Sequence, residues 1–169
     1  MDESPHDHLQ HLWAPWRMEY ILAEKERDCV FCEALTADND RDVNIIYRGQ
    51  WGFVILNLYP YNNGHVMVLP YRHIATLGEL TADERAELME LAERSIAALE
   101  KTMHPEGFNV GINLGRAAGA GIETHVHMHV VPRWAGDTNF ATVIGSTRTL
   151  PELLSQTYSR LHRAMASQP

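Results

Sequence analysis

The segment Thr124-His125-Val126-His127-Met128-His129-Val130-Val131 sets three imidazoles at alternate positions. Along an extended chain successive side chains point to opposite faces, so these histidines share one side while Val126, Met128 and Val130 take the other. A neutral imidazole carries a lone pair on one ring nitrogen and a proton on the other, which suits it to nucleophilic attack, proton transfer or metal ligation. One ion cannot be held by all three: residues i and i+4 of a strand lie roughly 13 Å apart, whereas metal–imidazole bonds are about 2 Å long. His127, flanked on both sides, is the best-placed nucleophile, and its neighbours can hold its tautomer or protonate a leaving group.

The preceding stretch, Asn113-Leu-Gly-Arg-Ala-Ala-Gly119-Ala-Gly121-Ile122, is glycine-rich and can turn several backbone N–H groups towards one point, as a phosphate or oxyanion cradle does. Cys29 and Cys32 are the two cysteines of the chain. The pair admits three readings: a redox couple, half of a zinc site, or two small buried side chains. Asp28 disfavours the redox reading because a carboxylate opposes thiolate formation at Cys29.

These residues need a scaffold. Two β-rich runs, 43–47 and 51–58, read as a hairpin, and a third, 65–69, is stopped by Pro70. Thr81-Ala-Asp-Glu84 is a capping box opening a helix whose apolar residues Leu88, Ala92, Ile96, Leu99 and Met103 recur at three- and four-residue steps; Pro105 and Gly107 end it. Two further strands are expected at 108–114 and 126–131, the latter carrying the histidine row. A second capping box, Thr149 to Glu152, is expected to open a last helix over 149–166. Strands, helix, strands, helix is the order of an α+β domain. Residues 1–11, with His6, His8 and His11, read as a mobile tail. Residues 12–169 read as a single domain, with an aromatic arm at 12–28 and a core at 29–135.

The chain of 169 residues has 14 Lys+Arg against 22 Asp+Glu, a formal charge of −8. That balance speaks against a nucleic-acid polymer as partner while leaving room for one small phosphorylated ligand at a local cradle. Its start lacks the basic and apolar pattern of a secretory signal, and no apolar run approaches bilayer-spanning length. A cytoplasmic protein without a membrane partner is therefore expected.

The run His125-Val-His127-Met-His129-Val-Val resembles the signature of the histidine-triad (HIT) family of nucleotidyl hydrolases and transferases. The likeness extends through Asn57-Leu-Tyr-Pro-Tyr-Asn-Asn-Gly64-His65-Val66, Arg72-His73-Ile74 and Asn113-Leu-Gly115, and covers residues 29–135. The arm Leu12-Trp-Ala-Pro-Trp-Arg-Met-Glu-Tyr-Ile21, the Cys29–Cys32 pair and Val131-Pro-Arg-Trp134 resemble more specifically its diadenosine tetraphosphate phosphorylase branch.

The resemblance implies a HIT-like fold: a five-stranded antiparallel sheet with two main helices, extended or paired in a homodimer or higher assembly. It implies attack by His127 on the α-phosphorus of a nucleotide, giving a nucleotidyl-histidine, with His65 and His129 supporting it. Asn57 matches a ribose contact, Asn113 a phosphate contact, and Gly119, Gly121 and Ile122 the backbone cradle. Cys29, Cys32, His73 and His125 match the ligands of a structural zinc ion, and no organic cofactor is implied. Phosphorolysis of diadenosine tetraphosphate to ATP and ADP is the expected reaction. The alternatives are hydrolysis of dinucleoside polyphosphates or nucleoside phosphoramidates releasing AMP, and a nucleotide sensor with little turnover. Gly119-Ala-Gly-Ile-Glu-Thr124 departs from the Gln and hydroxyl residue usual in the hydrolase branches, which favours the phosphorylase reading.

Overall fold

A computed structural model describes residues 29–138 and 151–168. A short helix α1 (Val30–Leu35) leads into strands β1 (Ile45–Arg48), β2 (Gly52–Leu56) and β3 (Val66–Pro70). The long helix α2 (Ala82–Met103) follows, then β4 (Gly107–Ile112), β5 (Met128–Arg133) and helix α3 (Leu154–Ala166). The five strands form one antiparallel sheet in the order β1-β2-β3-β5-β4, so β5 is inserted between β3 and β4 and β4 lies at an edge.

The strand alternation sorts side chains onto two faces. Val54, Leu56, Val66, Val68, Met128 and Val130 pack with Leu88, Leu91, Ala92, Ala98 and Leu99 of α2 and Tyr158, Leu161 and Met165 of α3. On the opposite face Ile45, Phe53, Ile55, Met67 and Leu69 pack against Phe31 and Ala34 of α1. The helix-side core is thus the larger of the two, whereas among the described residues the other face is covered by the short helix α1.

The expected capping box on α2 forms: the Thr81 hydroxyl accepts from the Glu84 N–H at 3.2 Å while the Glu84 carboxylate accepts from the Thr81 N–H at 2.7 Å. The same carboxylate takes two guanidinium bonds from Arg72, which hold its pKa down to about 2. The start of α2 is thereby tied to the loop that carries His73. The C-terminal end of α2 is closed by His104 in the left-handed conformation, its N–H donating to the Glu100 carbonyl.

Two elements differ from expectation. Helix α3 opens at Leu154, where Gln156 reaches back to the Leu153 N–H, and Glu152 is used instead to accept from Thr157 and Arg160. Thr149 and Leu150 of the expected box lie outside the described residues, as do the tail and the 12–28 arm. Strand β5 starts at Met128 and not at Val126, because the Val126 N–H donates to the Ile74 carbonyl of the preceding loop and leaves the β3 ladder. His125 and His127 therefore lie on the segment that leads into the strand.

Candidate active site and metal centre

His125, His127 and His129 all lie on the α1 side of the sheet. The Phe31 ring is 5.5 Å from that of His125 and 5.4 Å from that of His127, and His127 meets His129 edge-on at 4.9 Å. Val126, Met128 and Val130 are in the helix-side core. Phe31 lies inside the Cys-Val-Phe-Cys run, and the signal that marks it is its position as the inward apolar residue of a helix between two polarisable ligand candidates.

Backbone groups set the tautomers. The carbonyl of His125 lies 2.8 Å from His127 Nδ1. A carbonyl only accepts, so His127 carries its proton on Nδ1 and presents the Nε2 lone pair. Burial pushes the His127 pKa below its ordinary value, which keeps the ring neutral.

His65 is fully buried at the start of β3. Its Nδ1 accepts from the Tyr61 N–H at 3.0 Å and lies 3.3 Å from Asn57 Nδ2. A backbone N–H only donates, so the His65 proton is on Nε2, where it is given to His129 Nδ1 at 2.9 Å. His129 in turn carries its proton on Nε2. Burial first, then the rings of His129 and His127, lower the His65 pKa to about 3, so His65 remains neutral.

Asn57 Oδ1 also accepts from the Tyr59 N–H, so within the chain this side chain braces the turn and His65. Asn113 is half-buried just beyond β4. In the glycine loop the N–H groups of Ala118, Gly119 and Ala120 are used on the carbonyls of Gly115 and Arg116. The stretch able to turn N–H groups to an anion therefore begins at Gly121 and Ile122, and Ile122 packs against the Phe31 cluster.

The second constellation is metal-like. Ligand atoms of Cys29, Cys32, His73 and His125 all lie within 4.8 Å of one another. His125 Nδ1 is 3.4 Å from Cys29 Sγ and 3.7 Å from Cys32 Sγ, and His73 Nδ1 is 3.4 Å from Cys32 Sγ. Tetrahedral zinc with bonds of 2.3 Å to sulfur and about 2.0 Å to nitrogen requires sulfur–nitrogen separations of about 3.5 Å, so the four residues fit such an ion. His125 Nε2 donates to the Pro70 carbonyl at 3.0 Å, which leaves Nδ1 as the ligating lone pair. Burial and the adjacent Cys29 push the Cys32 thiol up to about 11, so paired thiolates here require a cation. Two described histidines lie outside the site and have structural roles. His104 caps α2, and the exposed His162 donates from Nδ1 to the Ile46 carbonyl while stacking on Tyr158.

Comparison with known proteins agrees with this geometry. A family model described as HIT domain matches residues 39–136. A protein named AP-4-A phosphorylase from Mycobacterium tuberculosis is 42% identical over 171 residues, covering 96% of this chain and 88% of its own. A bis(5'-nucleosyl)-tetraphosphatase (asymmetrical) from Schizosaccharomyces pombe is 33% identical, covering 55% of this chain and 50% of its own. Among solved structures, a zinc-bound histidine triad family protein from Mycobacterium smegmatis superposes with a TM-score of 0.67 at 30% identity, over 82% of this chain and 94% of that one. Among the described residues no helix is long and apolar enough to cross a membrane.

Proposed function

The chain belongs to the HIT family, and from that premise we propose that it is a nucleotidyltransferase that cleaves dinucleoside polyphosphates by phosphorolysis, as one domain over residues 12–169, through a covalent intermediate on His127. The observation that carries the proposal is the Nδ1–H of His127 held by the His125 carbonyl, which presents Nε2 as a neutral nucleophile beside His129.

Nε2 of His127 attacks the α-phosphorus; the P–N bond forms as the bond to the bridging oxygen of the leaving polyphosphate breaks. The Nε2–H of His129 faces that oxygen and stabilises or protonates it. An oxygen of inorganic phosphate then attacks the same phosphorus and expels the neutral His127. Diadenosine tetraphosphate plus phosphate thus becomes ATP plus ADP. In this reading Gly119, Gly121 and Ile122 shape the backbone cradle, with N–H groups offered from Gly121 onward. Asn113 contacts phosphate, and Asn57 reaches the ribose with the amide capacity left after bracing His65.

The metal in this reading is zinc, on the grounds of two thiols and two imidazoles at tetrahedral spacing. Held by Cys29, Cys32, His73 and His125, it supplies a cross-link that pins α1 to the segment carrying His127. The reading also includes a homodimer or higher assembly built on the β4 edge and a cytoplasmic location. The M. tuberculosis relative's name supports phosphate as acceptor. The test is chromatography of products from diadenosine tetraphosphate with and without inorganic phosphate. ADP and ATP formed only with phosphate support the proposal, and AMP with ATP in both samples overturns it in favour of hydrolysis.

A further inference from the structure

The turn between β2 and β3, Tyr59-Pro-Tyr-Asn-Asn-Gly64, is anchored more heavily than a surface loop requires. Asn62 is buried, and its amide donates to the Pro132 carbonyl at 3.0 Å and to Asp137 Oδ2 at 2.8 Å, which locks the turn to the end of β5. Gly64 adopts φ +78°, and a Cβ there would come within 2.8 Å of both Leu99 Cδ2 and Met103 Sδ, so the backbone lies directly on α2. Leu58 and Tyr59 at the outer side remain 58% and 67% exposed. What the anchors hold still is the residue just before them, Tyr61.

The Tyr61 ring lies 4.6 Å from the His65 ring at 39° and 5.6 Å from the His129 ring at 32°, while its own N–H bonds His65 Nδ1. Backbone and side chain of one residue thus act on the same pair. The N–H forbids a proton on His65 Nδ1, and with it the reversed arrangement in which His129 Nδ1 donates to His65 Nε2. The ring lies against both partners of the hydrogen bond that results. A bond between two neutral rings keeps its direction only while water, which can accept or donate in either sense, stays away from it.

Resting on the nucleotidyl-transfer reading, we propose that Tyr61 is a positioning residue for the reaction: its ring roofs the His65–His129 hydrogen bond and so keeps the His129 proton on Nε2, aimed at the leaving group. The role is assigned to the ring, so Tyr61→Phe is expected to retain the function and Tyr61→Ala to lose it.

Two readouts separate this role from a structural one. The first is the Nε2–H proton of His65 in nitrogen-15-labelled protein, observed without substrate. Imidazole N–H protons shielded from water give a resolved resonance. It is expected in wild type and Tyr61→Phe, and is expected to vanish by exchange in Tyr61→Ala. The second is steady-state kinetics. Tyr61→Ala is expected to lower kcat by about tenfold or more with KM little changed, because a lost proton-transfer contribution acts on the chemical step. Tyr61→Leu, which fills the same space, is expected to recover part of both signals and guards against simple loss of folding. A Tyr61→Ala protein that keeps the His65 resonance and wild-type kcat overturns the proposal, as does a Tyr61→Phe protein as impaired as Tyr61→Ala. Should wild-type protein prove unable to transfer a nucleotidyl group, the proposed function fails, while the His65 resonance still reports whether the roof exists.

Discussion

Three histidines of the site, His125, His127 and His65, have their protonation fixed by a group that can act in one sense only. Carbonyl oxygens of His125 and Pro70 impose protons on His127 Nδ1 and His125 Nε2, and the Tyr61 N–H imposes one on His65 Nε2. Residue types and spacing announced the imidazoles, but their tautomers could not be read from the sequence, since they depend on backbone groups up to 55 residues away. His65 carries a stability signature. Its folded pKa of about 3 lies below the ordinary 6.5, so the unfolded chain binds the extra proton between those values. The contribution of His65 is fully present above about pH 6.5 and is lost as pH falls towards 3. Denaturant unfolding of wild type and His65→Gln at pH 7 and pH 5 checks this: the stability difference between the two should shift in the variant's favour at pH 5. The Cys2His2 cluster predicts stoichiometric zinc in untagged protein by elemental analysis, with Cys32→Ser lowering both zinc content and Tm.

At the scale of elements, the three-stranded meander, the Thr81–Glu84 cap and the apolar stripe of α2 were all legible, because local periodicity and capping chemistry decide them. The start of β5 was not. Val126 has the β-branched character of a strand residue, yet its N–H is claimed by Ile74, a partner that only the tertiary fold supplies. The onset of α3 was misplaced for a related reason: Glu152, read as a capping residue, is engaged by Arg160 and Thr157 from the next turns. Nor did any short-range pattern reveal the Arg72–Glu84 tie between the His73 loop and α2. The turn before β3 offers an element-level test. Gly64→Ala forces a side chain onto φ +78° and into Leu99 and Met103, so unfolding free energy should drop by about 1–3 kcal/mol in urea titrations.

Among the described residues, the sheet divides labour: one face is filled by α2 and α3 and supplies stability, and the other, packed against α1, holds the histidines and the metal-like cluster. Strand β4 ends the sheet with Val110 44% exposed and Leu114 beyond it equally so. An apolar edge strand of six residues is a template for pairing with another chain. A homodimer paired there predicts that sedimentation velocity reports a dimer and that Val110→Lys shifts it to monomer.

The proposed function stands or falls on the passage of a nucleotidyl group through His127. The most direct measurement is intact-protein mass spectrometry after rapid mixing with diadenosine tetraphosphate without inorganic phosphate, followed by peptide mapping. An adenylyl adduct is expected on the peptide carrying His127, discharged as ADP on adding phosphate and absent in His127→Asn. Turnover to ATP and ADP with no adduct at any mixing time, or an adduct that persists in His127→Asn, would contradict it.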